Sequence, residues 1–157
     1  MNRRPLPLRE QGAGFSIQAS MNAPAPDYIF ELPMKVRDYE VDSEGIVNNA
    51  VYLHYLEHTR HEFCASAGFS FREMHARGMD PVVAHIDIHY VRSLGLGDSM
   101  VSRLALRRRG PVFVFVQDIY TAAGEPVVRA SVDIVSFENG RISRGELLAE
   151  AFKDYLH

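Results

Sequence analysis

A carboxylate and the start of a helix stand seven residues apart in the segment that begins at Asp42, DSEGIVNNAVYLHYLEHTRHEF. Asn48 directly precedes the helical pattern and is a preferred N-cap residue, because its side-chain oxygen can accept a hydrogen bond from an N–H of the first turn. Such a cap leaves the backbone N–H of Asn49 without a partner at the positive end of the helix dipole. A carboxylate that attacks or takes a proton, beside an N–H that stabilises a negative oxygen, is the outline of a catalytic site.

The helix that follows Asn48 is predicted over residues 49–67, where apolar residues recur at intervals of three and four. The members of this apolar stripe are Val51, Tyr52, Tyr55, Leu56, Thr59, Phe63 and Cys64. Most charged residues of the segment, Arg60 among them, fall outside the stripe, and Gly68 is the usual kind of residue just beyond a helix end. We therefore expect the stripe to face the core.

Strand-like patterns flank this helix on both sides. A half-buried strand is predicted over residues 30–40, and Pro33 within it argues for an edge position. Alternation and turn signals predict four more strands and two short helices, at residues 81–91, 100–108, 112–120 and 127–137 and at residues 69–77 and 146–156. The run VFVFV suits a central strand. This order indicates an α+β protein, most simply with an antiparallel sheet curled around the long helix.

The helix segment also carries a family signature. The pattern Asp42-x-x-Gly45-x-Val47-x-Asn49-x-x-Tyr52-x-x-Tyr55-x-Glu57-x-x-Arg60 resembles that of the 4-hydroxybenzoyl-CoA thioesterase family, whose members have the hot-dog fold. The wider similarity extends over residues 30–137. Many members carry histidine after the glycine, whereas this chain has Ile46, as some aryl-CoA thioesterases do. The resemblance implies a five-stranded antiparallel sheet curled around one long central helix.

The resemblance also implies roles for single residues. Asp42 would be the catalytic carboxylate, activating water or attacking directly, and the helix N-terminus at Asn49 would polarise the thioester carbonyl. The substrate would lie against the signature positions Gly45, Val47, Asn48 and Tyr52. A turn and a cap would explain Gly45 and Asn48 equally well, because a site at a helix N-terminus requires both. Glu40, two residues before Asp42 on the predicted strand, is a further candidate carboxylate.

Three consecutive arginines, Arg107, Arg108 and Arg109, end a predicted strand just before a Gly-Pro turn. Such a run is usually a solvated rim. Guanidinium groups also suit phosphates, and the resemblance places a basic cluster near this position in some relatives. The arginines therefore have two interpretations, a rim or a contact with the phosphates of coenzyme A.

The histidines show two spacings that could hold a metal ion. His54 and His58 share one helix face, and His85, Asp87 and His89 share one face of a predicted strand. The recurring zinc motifs contain a general base, and neither set has one. We therefore predict surface histidines, no metal and no cofactor, coenzyme A being part of the substrate.

Length and composition set broad bounds. At 157 residues, with 46% hydrophobic and 24% charged residues, the chain suits one domain over residues 27–157 after a disordered tail over residues 1–26. The net charge of −3 gives no sign of nucleic-acid binding. A single cysteine, Cys64, excludes an internal disulfide. No apolar run is long enough to span a bilayer or to form a secretion signal, which predicts a cytoplasmic protein with no membrane partner.

The leading hypothesis is an acyl-CoA thioesterase that acts on a small-molecule acyl-CoA. One alternative is a dehydratase or hydratase of the same fold, although such sites generally pair a histidine with a carboxylate and the Asp42 turn contains none. The other is a protein that binds acyl thioesters without catalysis. We also expect a homodimer or homotetramer, because one helix in a single sheet leaves strand edges uncovered.

Overall fold

The computed structural model describes residues 24–156, which form one antiparallel sheet curled around a long helix. The strands are β1 (Phe30–Lys35), β2 (Met79–Tyr90), β3 (Ser99–Arg109), β4 (Val112–Thr121), β5 (Pro126–Glu138) and β6 (Arg141–Ile142). The helices are α1 (Asn49–Ser66), α2 (Phe71–Ala76) and α3 (Glu146–Ala151). The strand order is β1-β3-β4-β5-β2, and β6 pairs with β5. The predicted order of elements is confirmed, with the VFVFV strand β4 at the centre.

Two predicted boundaries are wrong by five residues each, at the end of the first strand and at the end of the last helix. The first strand ends at Lys35 rather than residue 40, because Lys35 pairs with Ser99, the first residue of β3. The chain then turns through a 3-10 helix, Asp38–Glu40, whose start is closed by a hydrogen bond of 2.8 Å from the Arg37 N–H to the Glu40 carboxylate. The last helix ends at Ala151, after which i,i+3 hydrogen bonds continue the chain as turns.

A tight hairpin after β5, beyond the strands predicted from the sequence, adds the short strand β6. Asn139 and Gly140 both have positive φ, 50° and 77°, as the tight type I′ hairpin turn requires. This turn brings Arg141 back beside Glu138. The sheet of the described residues therefore has six strands, five of them long.

The core between α1 and the sheet consists of two apolar clusters separated by a buried polar layer. One cluster surrounds Phe63 and Cys64, and the other surrounds Tyr52 and Leu56. Between them, Thr59 Oγ1 and Ser102 Oγ form a hydrogen bond of 2.8 Å, and Gln117 Nε2 donates to the Leu56 carbonyl at 2.9 Å. Ser102 and Gln117 face inward from β3 and β4 and are fully buried.

Arg60 belongs to this polar layer. It was predicted outside the buried stripe, yet it is only 6% exposed, and its guanidinium donates to Gln117 Oε1 at 2.9 Å. Removal from water lowers the pKa of Arg60. The prediction was wrong because a buried amide on β4, 57 residues away, provides the acceptor.

Strand β2 forms one edge of the sheet, beside β5. The predicted uninterrupted alternation of β2 is wrong, because its register against β5 shifts between Val83 and His85. Residues directly opposite each other on antiparallel strands share a face, so Val82 and Ile86 lie on opposite faces rather than on one. Val82 and Val83 are exposed, 43% and 42%, on this edge strand.

The predicted N-terminal tail and the predicted absence of a membrane-spanning segment are only partly covered by the described residues. Residues 1–23 of the predicted tail lie outside them. Over residues 24–156, no helix is both long enough and apolar enough to cross a bilayer.

The buried polar layer leads to a stability prediction. Replacing Gln117 with Leu should lower the free energy of unfolding by about 3 kcal/mol, since a buried polar group without a partner costs about 1–3 kcal/mol and a charged one more. The double variant Arg60→Met/Gln117→Leu should be more stable than Gln117→Leu alone, because the unpaired charge is gone. Urea denaturation followed by circular dichroism measures both. Equal stability of Gln117→Leu and the unmodified protein would contradict this account of the layer.

Candidate active site

The Asp42 carboxylate sits at the start of a tight turn. The Asp42 N–H donates to the Ile46 carbonyl at 2.8 Å, and the Gly45 N–H donates to the Asp42 carbonyl at 3.0 Å. Gly45 has φ of +78°, a conformation that glycine adopts without strain. Asp42 Oδ1 accepts the Glu44 N–H at 2.8 Å, whereas Oδ2 has no hydrogen-bond donor among residues 24–156. One carboxylate oxygen is thus anchored and the other is available.

The helix start opposite this turn has the predicted cap. Asn48 Oδ1 accepts the Ala50 N–H at 2.9 Å, and the Asn48 N–H donates to the Glu40 carbonyl at 3.1 Å. The Asn49 N–H, in contrast, has no acceptor within the described part of the chain. An exposed N–H at the start of an 18-residue helix is a donor for a negatively charged oxygen.

Asp42 and Asn49 line one cleft of about 310 Å³. Val47 and Tyr52 also line it, so four of the predicted site residues come together. Gly45 and Asn48 do not form its wall; they shape the turn and the helix start from which Asp42 and Asn49 project.

The chain from the last residue of β2 onward completes the cleft and was missed by the sequence analysis. It contributes Tyr90, Val91, Arg92 and Ser93. The Tyr90 hydroxyl donates to the Asn49 carbonyl at 3.0 Å, which ties the end of β2 to the first turn of α1. Arg92 is half-exposed and pairs with Glu125 at 3.2 Å. These side chains reach the site only because segments more than forty residues apart pack together, and no local sequence pattern predicts that contact.

Glu40 supports the site without lining it. The side chain is buried, 8% exposed, and its Oε2 accepts the Tyr55 hydroxyl at 2.7 Å. Burial, and then the hydrogen bond to Glu40, raises the pKa of Tyr55. Glu40 therefore fastens the segment before Asp42 onto α1. The predicted placement of Glu40 and Asp42 on one strand face is wrong, because the chain has already left the sheet.

Arg107, Arg108 and Arg109 lie far from the cleft within one chain. The cleft adjoins the start of β3, since Ile46 pairs with Gly95 just before that strand. The arginines lie at the other end of β3, which at about 3.3 Å per residue is about 30 Å away. Arg108 donates to the carbonyls of Gly110 and Arg144, both at 3.0 Å.

The four histidines with metal-like spacing stand apart from the cleft. His54 and His58 are exposed on α1, and His85 and His89 are exposed on β2. Among residues 24–156, no three His, Cys, Asp or Glu side chains are grouped as a metal site would require.

Comparison with known proteins identifies relatives. A family profile described as the thioesterase-like superfamily matches residues 36–154. Two relatives are chloroplastic acyl-acyl carrier protein thioesterases of Arabidopsis thaliana. ATL2 is 34% identical over 111 residues, covering 69% of this chain and 59% of ATL2. ATL3 is 41% identical over 71 residues, covering 45% of this chain and 37% of ATL3. The chain thus matches about half the length of these relatives.

Solved structures with the same architecture include thioesterases. YbaW of Escherichia coli, described as a probable thioesterase, has a TM-score of 0.72 and 27% identity over 81% of this chain and 98% of YbaW. Slr0204 of Synechocystis, a 1,4-dihydroxy-2-naphthoyl-CoA thioesterase, has a TM-score of 0.73 and 17% identity over 80% of this chain and 96% of Slr0204. The predicted hot-dog fold is confirmed. The narrower resemblance to 4-hydroxybenzoyl-CoA thioesterases stays a prediction.

Proposed function

This chain belongs to the thioesterase-like superfamily, and we propose that it hydrolyses an acyl thioester to a free acid and a thiol. The observation that carries the proposal is the cleft in which the Asp42 carboxylate faces the open N-terminus of α1. Hydrolysis of a thioester needs a base or nucleophile beside the carbonyl carbon and a donor beside its oxygen. The cleft offers both, and no histidine among residues 24–156 lines it, which favours hydrolysis over the hydratase alternative.

Asp42 has two possible roles in the reaction. As a general base it takes a proton from water, the hydroxide attacks the carbonyl carbon, and the carbon–sulfur bond breaks as the leaving thiolate takes that proton from Asp42 and departs as the thiol. As a nucleophile it attacks the carbonyl carbon, the carbon–sulfur bond breaks to release the thiolate, and water then hydrolyses the resulting mixed anhydride to the acid and the free Asp42 carboxylate. In both routes the carbonyl oxygen becomes negative, and the Asn49 N–H would stabilise that charge. The reaction uses no metal and no cofactor apart from the carrier of the acyl group.

We propose coenzyme A as the thiol carrier, with acyl carrier protein as the alternative. The two carriers share the phosphopantetheine arm, so the reacting end of the substrate is the same. Named relatives act on each kind of carrier, and their identities to this chain do not decide between them. A panel of acetyl-, octanoyl-, palmitoyl- and benzoyl-CoA, with matching acyl carrier proteins, measures the preference.

The exposed edge strand β2 supports a homodimer. Among residues 24–156 no strand pairs with its outer edge, which therefore presents unpaired backbone groups, and a twofold axis would pair it antiparallel with β2 of a second copy. The cleft borders this edge, because Tyr90 ends β2 and Val91, Arg92 and Ser93 follow it directly. Such pairing would bring the partner's arginine-bearing sheet end to the same end as the cleft, since β3 runs antiparallel to β2. With strands about 4.8 Å apart, the four strand spacings from β2 to β3 of the partner would place the partner's arginines about 20 Å from the cleft. This distance suits the long arm of coenzyme A.

Replacing Asp42 with Asn should lower kcat at least about 10²-fold, the lower range of general-base assistance. Asparagine keeps the size of aspartate but neither attacks as a carboxylate nor takes a proton from water. Substrate binding should survive, because the helix N-terminus is unchanged. Steady-state kinetics on the best CoA thioester and equilibrium binding of that thioester measure the two effects.

The matched control for this variant is Asp38→Asn, the same change at an exposed carboxylate outside the cleft. It should keep the unmodified kcat. If Asp42→Asn folds, binds substrate and keeps more than about a tenth of kcat, the proposed role of Asp42 is wrong, since that loss is below a base contribution.

The dimer proposal predicts that light scattering at micromolar concentration finds at least twice the mass of one chain. Val83→Lys should shift this equilibrium toward monomer, because a charged residue on an edge strand opposes pairing with another strand. Leu147→Lys, at a residue that is 51% exposed on α3, is the control and should leave the mass unchanged. A fully active monomer of the unmodified protein would refute the proposal.

We also propose that Arg107, Arg108 and Arg109 contact the phosphates of coenzyme A. Arg107→Gln should then raise KM for acyl-CoA with little change in kcat, because a phosphate contact contributes about equally to ground and transition states. Arg107 is chosen because its side chain has no hydrogen bond within residues 24–156, unlike Arg108. The same acyl group on pantetheine, which lacks the nucleotide, is the control substrate, and its KM should not change. An unchanged KM for acyl-CoA would return the arginines to a solvated rim.

A further inference from the structure

Tyr52 is the most deeply buried polar side chain in the wall of the cleft. It is only 3% exposed and lines the cleft together with Asp42 and Asn49. Its hydroxyl oxygen accepts the Leu94 N–H at 3.2 Å. A phenol can both accept and donate, and an oxygen that already accepts must direct its own proton elsewhere. Among residues 24–156, no acceptor receives that proton.

The other phenol of the cleft has a different assignment. The Tyr90 hydroxyl donates to the Asn49 carbonyl, so its proton is already used. Tyr52 therefore holds the one phenolic proton in the described cleft that no protein group accepts. A buried donor without an acceptor is costly, and such groups in folded proteins have water or a ligand as partner.

The position of Tyr52 on α1 directs the hydroxyl toward the helix start. Tyr52 follows Asn49 by three residues, which places both on one side of the helix. Helical side chains lean toward the N-terminus, so the ring extends back toward the first turn. Edge-to-face contacts with Tyr55 at 5.9 Å and Tyr90 at 5.6 Å between ring centroids hold it there.

We infer that the Tyr52 hydroxyl and the Asn49 N–H together bind the acyl oxygen of the substrate and form a two-donor oxyanion site. The inference rests on the proposed thioester hydrolysis at Asp42. As water or Asp42 attacks, the carbonyl electrons move to oxygen, and the two hydrogen bonds shorten without transfer of the phenolic proton. When the carbon–sulfur bond breaks, the electrons return and the carbonyl re-forms.

The electrostatic environment supports a neutral donor at this position. Burial raises the pKa of Tyr52 above its ordinary value of 10.0, and the Leu94 N–H only partly opposes this. A group whose pKa is raised stays protonated below that value, so Tyr52 remains a hydrogen-bond donor at neutral pH. An oxyanion role for Tyr52 would also account for its hydroxyl, which the Asn49 N–H acting alone leaves without a function.

A purely structural role is the competing explanation, in which the hydroxyl serves only the Leu94 N–H. The two roles predict different kinetics for Tyr52→Phe, which keeps the ring and removes the hydroxyl. Loss of one oxyanion donor should lower kcat on the order of 10²-fold and leave KM for the best substrate of the acyl-CoA panel nearly unchanged. The control Tyr155→Phe, the same change on a half-buried ring outside the cleft, should keep both constants.

A spectroscopic measurement separates the roles without turnover. The best substrate, labelled with ¹³C at its carbonyl, is bound to Asp42→Asn, and the infrared carbonyl band should fall below its frequency in water. In the double variant Asp42→Asn/Tyr52→Phe the band should shift part of the way back toward its frequency in water, because one of the two hydrogen bonds to the carbonyl is lost. If Tyr52→Phe does not fold, 3-fluorotyrosine at position 52 keeps the ring size and makes the phenol a stronger donor, and the band should then fall further.

The outcomes distinguish this inference from the proposed function. If the unmodified protein is active, Asp42→Asn is impaired and Tyr52→Phe keeps kcat within about threefold, the oxyanion role of Tyr52 is wrong and the proposed hydrolysis stands. A carbonyl band that responds to neither change at position 52 overturns the inference in the same way. If the unmodified protein hydrolyses no thioester of the panel, both proposals fail.

Discussion

The register of α1 against the sheet is the constraint on which the rest of the structure depends. Apolar clusters alone would allow α1 to slide along the sheet, because the hydrophobic effect is not directional. The hydrogen bonds of Thr59 to Ser102 and of Gln117 to the Leu56 carbonyl have direction and fixed length, so they hold the helix at one position along its axis. A displacement by one turn would leave both buried polar partners unsatisfied.

The position of the helix start follows from this register, and separate contacts fasten the neighbouring segments to it. Glu40 binds Tyr55 through its side chain and Asn48 through its carbonyl, which sets the Asp42 turn against α1. Tyr90 binds the Asn49 carbonyl, which sets the end of β2 against the same turn of helix. The Asp42 turn and the end of β2, more than forty residues away in sequence, thus meet at one helix N-terminus, and the cleft is the space between them.

Local chemistry made much of this predictable, whereas long-range partners did not. The Asn48 cap, the order of the elements along the chain and the central position of β4 depend on neighbouring residues or on simple periodicity, and all were predicted. The burial of Arg60 depends on Gln117, and the contribution of Tyr90 to the cleft depends on pairing across the fold. A one-residue shift within β2 reverses faces without any signal in alternation.

The single cysteine has a consequence for thiol chemistry. Cys64 lies in the Phe63 cluster, 1% exposed, and burial raises the pKa of its thiol to about 12. Because the thiolate is the reactive form, the folded protein presents almost no nucleophilic sulfur to alkylating or oxidising reagents at neutral pH. Alkylation of Cys64 requires the core to open, so its rate follows the population of opened molecules. The chain therefore carries its own reporter of unfolding, one that is distinct from the chemistry in the cleft.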